Sequence, residues 1–233
     1  MKKYIIFILI CISSISANAQ FKIEYSVGYG SYKMDDMKGQ LSNIQTELKK
    51  QYPFDIAITD NFPNYVTHNF GIVYMQDKHE FGANLTYQTT AGRLAYSDYS
   101  GEIVDKLSLN AYRIGLLYRY HFYQIEFSDK TNISFYGELS PGMTLNSLKT
   151  KGHVKVGNDQ KDLDDRYKLN SNMVGFSVLP QLGVNLNLPY GIGAHLSGGY
   201  DVDMGASLKG NKDVKVDWSG LRISGGVSYQ LPF

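Results

Sequence analysis

Apolar side chains recur at every second position through much of this chain, and that period constrains the fold more than any other feature. Residues 21–30 read Phe-Lys-Ile-Glu-Tyr-Ser-Val-Gly-Tyr-Gly, which places apolar residues on one face and polar or very small residues on the other. A period of two is typical of a β-strand. The same alternation is present in seven further segments: 69–74, 81–88, 112–122, 133–139, 174–188, 192–202 and 220–233. The sequence therefore predicts an all-β chain with eight strands.

Composition narrows the class of protein further. The 233 residues include 19 Tyr and 11 Phe, only 19% are charged, and the formal net charge is +1. So many aromatic residues argue against disorder, and a charge near zero gives no electrostatic reason to expect a nucleic-acid partner. Beyond the first twenty residues, no segment has the run of about 18 apolar residues that a transmembrane helix needs. The sequence thus argues against a helical membrane protein.

Residues 1–19 predict a cleaved secretory signal peptide. They combine a basic start, an apolar run at 4–12 and an Ala-Asn-Ala site at 17–19. The single cysteine, Cys11, raises the alternative of a lipid anchor, but a large Ile precedes it where a lipobox has a small residue. We expect residues 20–233 to form one exported β-barrel domain without disulfides.

The polar face of the predicted strands indicates what surrounds them. A soluble barrel, such as a lipocalin-like one, buries its apolar face and shows its polar face to water. Here the polar set is mainly Gly, Ser, Asn and Gln, which suit a narrow lumen better than a solvated exterior. Aromatic residues gather near strand ends, as Tyr118, Tyr120 and Phe122 do, which is typical of girdles at two membrane interfaces. We expect the apolar face to contact lipid, with the soluble barrel as the alternative.

The predicted connections alternate in length. The long connections are 31–65, 91–105, 147–168 and 205–217, and the short ones between them are 76–79, 123–130 and 189–191. Outer-membrane barrels have short periplasmic turns and longer outer loops. The alternation therefore predicts that both chain termini lie on the periplasmic side.

The C-terminus carries a second signal of the same kind. Val227, Tyr229, Leu231 and Phe233 alternate with polar or small residues and end on an aromatic residue. This pattern resembles the terminal strand by which outer-membrane barrels are recognised by their assembly machinery. Because a barrel pattern and an end signal occur together, the chain resembles the small eight-stranded outer-membrane barrels of OmpA/OmpX type and the porin-family proteins that share an outer membrane protein beta-barrel domain.

The resemblance implies an antiparallel up-and-down transmembrane β-barrel in the outer membrane of a diderm bacterium. It also implies contact with outer-membrane lipid, with lipopolysaccharide and with the assembly machinery. Such families share a fold more than an activity, so the resemblance implies architecture and location rather than a substrate.

Eight ionisable residues fall on the predicted lumen face. An eight-stranded barrel is just wide enough for its own side chains, and an unpaired charge there is costly. Counting from the strand ends predicts two buried pairs, Asp201 with Arg222 and Glu138 with Arg113. We interpret the set as structural neutralisation that plugs the lumen; a proton or ion pathway, or a narrow channel for small solutes, is the alternative. The set is Glu24, Arg113, Arg119, His121, Glu138, His195, Asp201 and Arg222.

Two prolines interrupt the strand pattern. Pro180 lies inside the sixth predicted strand and Pro141 near the end of the fifth. Proline cannot donate to a ladder, and a closed barrel has no free edge to receive it. We therefore predict a β-bulge or a local break at Pro180.

The first long connection contains a helical pattern. Apolar residues there are spaced three and four apart, which predicts a helix with a narrow apolar stripe. We expect this helix to lie over the barrel mouth or along its rim, and a surface partner docked on the stripe is the alternative. The stripe is Met34, Met37, Leu41, Ile44 and Leu48.

A possible catalytic pair also occurs in the seventh strand. His195-Leu-Ser197 resembles the His-x-Ser spacing of lipid A deacylase barrels, which makes a lipid-modifying enzyme a third functional hypothesis. Alternation directs both side chains into the lumen, away from an acyl chain in the bilayer. The histidines lack metal-ligand spacing, and no phosphate-binding glycine motif is present. We therefore expect no enzymatic activity, no cofactor and no metal, and a structural or surface-interaction role.

Overall fold

The computed structural model describes residues 20–52, 54–99, 101–128, 131–156, 159–162, 171–208 and 211–232. The predicted signal peptide lies outside the described residues. Eight long strands account for most of the chain. They are β1 (Gln20–Gly30), β2 (Tyr65–Gln76), β3 (His79–Ser97), β4 (Gly101–Ser128), β5 (Thr131–Val156), β6 (Ser171–Asn187), β7 (Ile192–Asp203) and β8 (Gly220–Gln230).

Smaller elements lie in the connections. Helix α1 (Asp35–Gln51) follows β1, and a 3-10 turn, Pro189–Gly191, joins β6 to β7. Within the described residues, no helix is long and apolar enough to cross a bilayer. Short strands occupy Ala57–Asn61, Asp159–Asp162, Ala206–Leu208 and Asn211–Val216.

The eight long strands close into a ring. Each is antiparallel to the next along the chain, and β8 pairs with β1. A row of directly paired residues that starts at Gln20 passes through every strand and returns to β1 at Gly30, ten positions further on. Such a stagger tilts the strands of a barrel by about 35–45°. The predicted eight-stranded antiparallel up-and-down barrel, with a helix in the first long connection, is confirmed.

Around the waist of the ring, apolar side chains point outward and polar side chains point inward. Leu116 on β4 is 69% exposed, whereas Arg113 and Arg119, on the opposite face of the same strand, are buried. A soluble barrel distributes the two sets the other way round. The predicted orientation of the two faces is therefore confirmed. The outward apolar residues of β4 are Tyr112, Ile114, Leu116, Tyr118, Tyr120 and Phe122.

This orientation inverts towards the end of the barrel that carries α1, which we call the capped end. Beyond Tyr112, the next three outward residues of β4 are polar, Asn110, Ser108 and Lys106, while Leu107 and Leu109 point inward and are fully buried. The upper part of this strand thus has the polarity of a soluble protein, with an apolar interior.

The neighbouring strand inverts at the same place in the ladder. On β5, Leu145 is the last outward apolar residue, and it pairs directly with Tyr112. Beyond it, Lys149 points outward and Leu148 points inward. Two different strands therefore change polarity at paired residues, which defines a boundary on the barrel wall.

Helix α1 closes the capped end. Its predicted stripe is 0–5% exposed and packs with the inward residues of the extended strands and with Trp218 in one apolar cluster, which we call the cap core. Asp35 and Asp36 in the first turn and Lys49 and Lys50 in the last turn suit the helix dipole. The predicted helix over the barrel mouth is confirmed. Because the chain itself covers all five stripe side chains, they present no exposed stripe to a partner. The stripe is Met34, Met37, Leu41, Ile44 and Leu48.

Three predicted connections are instead wholly or partly extensions of the long strands. Segment 91–105 forms the upper ends of β3 and β4, which pair as far as Ser97 with Glu102. Segment 123–130 continues β4 to Ser128, so this hairpin is longer than predicted. The predicted connection 147–168 begins too early, because β5 continues to Val156. The error at 91–105 has a physical cause. In this part of the strands the apolar residues lie on the inner face instead of the outer face, so the outer-face pattern ends although the strand continues.

Pro180 breaks one ladder without a bulge. Between β6 and β7, Val178 pairs with Val202 and Gln181 pairs with Gly199 in one register, but the two residues between them on β6 are unpaired. The predicted local break is confirmed. Register shifts occur instead between β4 and β5, after His121 and near Glu126.

The terminal strand presents part of its predicted assembly signal on the outside. Val227 and Tyr229 point outward and are 59% and 46% exposed. Leu231 follows the end of β8 and is half-buried, and Phe233 lies outside the described residues. Recognition of these residues by an assembly machinery stays a prediction.

Candidate functional site: the charged lumen

The structure buries all eight predicted lumen residues inside the ring. Their exposures run from 1% for Arg113 to 9% for His195. Because inward positions alternate along each strand, the predicted period placed each of them correctly. The structure brings six of them together in two groups: Glu24, His121 and Glu138 lie around Arg119, and Asp201 pairs with Arg222. Arg113 and His195 belong to neither group.

The first group is centred on Arg119. Its Nη1 donates to Glu24 Oε1 at 2.9 Å and to Glu80 Oε2 at 2.6 Å, and its Nη2 donates to Glu138 Oε2 at 2.8 Å. Gln181 Nε2 donates to the other oxygen of Glu138 at 3.1 Å. Glu80, Arg119, Glu138 and Gln181 are direct neighbours on four successive strands, β3 to β6. The cluster is therefore built by the register of the ladder.

Lys22 supplies the second cation of this group. Its Nζ donates to Glu80 Oε1 at 2.7 Å and lies 2.9 Å from Glu24 Oε1. The Nε2 atom of His121 lies 3.0 Å from the same oxygen of Glu80. The ring of Tyr136 lies 4.4 Å from the Arg119 guanidinium carbon, a cation–π distance. Three carboxylates thus face two fixed cations and one imidazole.

Sequence reasoning missed two members of this cluster, Lys22 and Glu80, which are 3% and 0% exposed. Lys22 lies on the same face of β1 as Glu24, so the alternation already placed it inside. Glu80 lies one position before the predicted third strand began, at residue 81. Extending the period by one residue would have found it.

The second group contains the predicted Asp201–Arg222 pair. Arg222 Nη2 donates to Asp201 Oδ2 at 3.3 Å and to the Trp218 carbonyl at 2.6 Å, and its Nη1 donates to the Ser31 carbonyl at 2.6 Å. The Tyr32 ring lies 5.1 Å from the guanidinium carbon. This ion pair therefore ties the lumen to the segments that enter and leave the cap.

The predicted Glu138–Arg113 pair is wrong. Glu138 is bound by Arg119, whereas Arg113 Nε donates to Ser177 Oγ at 2.8 Å and its Nη2 donates to the Ser140 carbonyl. The prediction took β4 to end at Phe122. Because β4 continues to Ser128 with two register shifts, Arg119 and not Arg113 lies opposite Glu138.

His195 and Ser197 both point into the lumen, and each is 9% exposed. Ser197 Oγ donates to Gln181 Oε1 at 3.1 Å and lies 2.8 Å from Ser224 Oγ. The serine hydroxyl is thus occupied by amide and hydroxyl partners on the neighbouring strands β6 and β8.

A small polar cavity separates the two charged groups. Its volume is about 40 Å³, and Asn84, Gln88, Arg113 and Asp201 contribute to its lining. A water molecule needs about 10–15 Å³ on this measure, so the cavity has room for a few waters and for no larger solute. Among the described residues, no group of three or more His, Cys, Asp and Glu is placed to hold a metal ion.

The cap core stands directly above Arg222. Trp218 is fully buried, donates its Nε1 hydrogen to Asn146 Oδ1 at 2.6 Å and packs edge-on against Tyr32 with ring centroids 4.8 Å apart. Burial raises the pKa of Tyr32 to about 12. On the outer side of the cap, a 2.8 Å hydrogen bond from Lys49 holds the pKa of Asp55 below its usual value. The mouth is therefore closed by a packed apolar layer.

No family model and no curated protein sequence matches the chain. Solved structures that are similar to it include Neisserial surface protein A, with a TM-score of 0.43 and 13% identity over 92% of this chain and 100% of that one. Ail of Yersinia pestis, in complex with the heparin analogue sucrose octasulfate, gives a TM-score of 0.35 and 12% identity over 91% and 97%. LpxR from Salmonella typhimurium gives 0.25 and 9% over 89% and 99%.

Proposed function

We propose that this chain is an integral outer-membrane β-barrel of a diderm bacterium, with a structural or surface-interaction role and a lumen closed by its own side chains. The observation that carries the proposal is the inversion of polarity at Tyr112 and Leu145. Below this boundary the barrel wall is apolar outside and charged inside, which is stable only where the exterior contacts hydrocarbon.

The dimensions of the apolar wall support a membrane. On β4 it runs from Tyr112 to Phe122, eleven residues, and a transmembrane strand needs about 9–11. Aromatic pairs stand at both of its limits. The ring centroids of Tyr87 and Tyr112 are 5.2 Å apart at the capped end, and those of Tyr123 and Phe135 are 6.0 Å apart at the opposite limit. Such rings are typical of membrane interfaces.

Two features support a closed lumen rather than a channel. Ion pairs centred on Arg119 cross the lumen between β1, β3, β4 and β5. Above them, the cap core covers the mouth with apolar side chains. A hydrated solute would have to break buried ion pairs and pass an apolar layer, and both steps cost several kcal/mol.

The proposal is tested by gel migration and by conductance. The purified barrel, folded in detergent, is expected to migrate faster before boiling than after it, because a closed barrel resists SDS at room temperature. In planar bilayers it is expected to show no stable open state. Equal migration with and without boiling would contradict the barrel, and a long-lived conducting state would contradict the closed lumen.

We also propose that the barrel has no enzymatic activity. Ser197 lies inside the ring and is hydrogen-bonded to Gln181, so an acyl chain in the bilayer has no path to it. Ser197→Ala is therefore expected to leave the acylation pattern of lipid A unchanged in a native host, as measured by mass spectrometry. Loss of an acyl-chain change that the wild-type protein produces would contradict this.

A further inference from the structure

Among the described residues, Arg113 is a buried cation without a carboxylate partner. The other three lysine and arginine side chains buried in the lumen, Lys22, Arg119 and Arg222, each have a carboxylate oxygen within 3.3 Å. No described carboxylate lies within 4.0 Å of the Arg113 guanidinium, although this residue is 1% exposed. An unpaired charge inside a protein is costly, so the surroundings of Arg113 need a source of compensation.

Neutral groups fix the position of the Arg113 guanidinium. Its Nε donates to Ser177 Oγ at 2.8 Å, its Nη1 donates to Ser140 Oγ at 3.2 Å, and its Nη2 donates to the Ser140 carbonyl. Gly115 and Gly142 leave room for it, because a Cβ at these positions would lie 2.8 Å from Nη1 and 3.1 Å from Nη2. The charge is therefore held in one place by hydroxyl and backbone groups that do not neutralise it.

The polar cavity of about 40 Å³ lies beside this charge. Arg113 and Arg222 both line it, from β4 and from β8. Asp201 is the one carboxylate in the lining, and its Oδ2 is already paired with Arg222. Two guanidinium groups against one carboxylate leave a net charge of +1 around the cavity.

The lining also contains a buried amide without hydrogen-bond partners. Gln88 is 1% exposed, and neither its Nε2 nor its Oε1 has a partner among the described residues. Leaving such a group unpaired is costly, so its N–H indicates a ligand that accepts hydrogen bonds. The hydroxyl groups of Ser26 and Thr67 stand in the same lining and can also donate. Donors therefore surround a cavity whose net charge is positive.

The carboxylates of the Arg119 group are engaged elsewhere in the lumen. That group has three carboxylates and two fixed cations, but each carboxylate has donors of its own. The Nε2 atom of His121 lies 3.0 Å from Glu80 Oε1, and Gln181 Nε2 donates to Glu138 Oε1 at 3.1 Å. None of the three lies within 4.0 Å of the Arg113 guanidinium. Compensation in direct contact with Arg113 must therefore come from outside the chain.

We propose that this cavity binds one small monovalent anion, chloride, between Arg113 and Gln88. The space of a few waters also holds one such ion with accompanying water. Water then serves the two lining oxygens that lack donors, Gln88 Oε1 and Asp201 Oδ1. A single negative charge matches the net charge of +1, whereas a divalent anion would reverse it.

The position of the cavity makes the ion a structural component and not a transported one. The ion pairs of Arg119 close the lumen on one side of the cavity, and the cap core closes it on the other. The anion therefore enters as the barrel folds and stays with the folded state. The site requires the closed ring of strands but not a membrane, so it stands apart from the proposed location.

Bromide tests the site directly, because it replaces chloride and is located by its anomalous scattering. Crystals of the purified barrel grown in sodium bromide are expected to show an anomalous peak in the cavity, in contact with Arg113 and Gln88. Peaks confined to the outer surface of the barrel would overturn the proposal, since the cavity would then hold water alone.

A stability measurement tests the same site in solution. Arg113→Met removes the charge, Gln88→Leu removes the amide and keeps the charge, and Arg93→Met removes one exposed cation of the outer wall as the matched control. The urea midpoint of each barrel, folded in detergent, is followed by the gel migration of unboiled samples. Sodium chloride is replaced stepwise by sodium gluconate at constant ionic strength.

A ligand that binds only the folded state stabilises it by mass action. The midpoint of wild type and of Arg93→Met is expected to rise by roughly 0.5–1.4 M for each tenfold increase in chloride above its dissociation constant. Arg113→Met is expected to lose this dependence, and Gln88→Leu is expected to reduce it. If Arg113→Met fails to fold, Gln88→Leu decides alone. Equal midpoints of wild type in the two salts would overturn the proposal, and so would an equal chloride effect in wild type and Gln88→Leu.

Discussion

At the scale of single residues, the barrel depends most on Arg119. This side chain is 4% exposed and contacts three carboxylates that come from three other strands. Burying charges is costly, and the arrangement is stable only because each carboxylate oxygen has close donors. Arg119 therefore links β1, β3, β4 and β5 through the lumen as well as through the ladder.

Arg119→Met is expected to destabilise the barrel by about 3–5 kcal/mol, because among the described residues it leaves Glu24 and Glu80 with Lys22 as their one fixed cation and removes the cation that pairs with Glu138. The measurement is the urea midpoint of unfolding from phospholipid vesicles, followed by the gel migration of unboiled samples. Adding Glu138→Gln to this variant is expected to restore part of the lost unfolding free energy, since it removes one uncompensated buried charge.

The matched control is Arg93→Met on the outer wall. Arg93 is exposed, so its loss is expected to change the unfolding free energy by about 0–1 kcal/mol. A midpoint for Arg119→Met equal to that of wild type would show that the lumen network contributes little to stability.

Much of this network could be predicted from sequence, but its pairings could not. Alternation alone placed Glu24, Arg119 and Glu138 inside, because side-chain direction depends only on the period of two. Which residues form ion pairs depends on the register between strands. The register of β4 against β5 is set by where their hairpin turns and by two register shifts, and the alternation of apolar residues reveals neither. Arg113 was therefore given the partner that belongs to Arg119.

At the scale of elements, the strands of the β3–β5 region serve two environments. Their lower halves have a polar inner face, and their upper halves have an apolar inner face that receives helix α1. The sequence predicted the helix because its stripe is amphipathic, but it predicted a loop at 91–105 because the strand pattern changes face there. The cap is thus a soluble-type core built on the end of a barrel with the opposite polarity.

Leu48→Ala is expected to loosen the cap more than the barrel. Leu48 is fully buried in the cap core, and truncation of such a leucine costs about 2–5 kcal/mol. The single tryptophan, Trp218, reports on this core because it lies within it. Its fluorescence transition in urea is expected to move to a lower concentration, while the gel-migration transition moves much less.

Asn43→Ala on the exposed face of the same helix is the control, and it is expected to leave both transitions in place. If Leu48→Ala moved the two transitions by the same amount, the cap and the barrel would unfold as one cooperative unit. That result would contradict the expectation that the cap unfolds separately from the barrel.

At the scale of the whole molecule, the chain is a closed ring filled by charged groups, capped at one end and wrapped by apolar side chains. The fold class could be predicted almost completely from two features of the sequence. It has eight segments of alternating apolar residues, and the polar residues between them include few lysines, so few folds other than a membrane barrel are compatible with it. The helix over the mouth could be predicted from its apolar stripe, but the packing of the cap core could not, since it depends on how distant segments such as α1 and Trp218 meet. The lumen and the cap together account for a barrel that we propose does not conduct.

The most direct test of the account is the environment of each successive side chain on β4. The chain is expressed from Gln20, so that Cys11 is absent, and one cysteine at a time replaces a residue between positions 106 and 120. Each cysteine carries a nitroxide spin label. In vesicles, the collision rates of the label with lipid-dissolved oxygen and with a water-soluble nickel complex are measured. Labels at Ile114, Leu116 and Tyr118 are expected to collide with oxygen, and labels at Lys106 and Ser108 with nickel. Collisions with nickel at Ile114 and Tyr118 equal to those at Lys106 would show that water surrounds the apolar wall, and would contradict a membrane-spanning barrel.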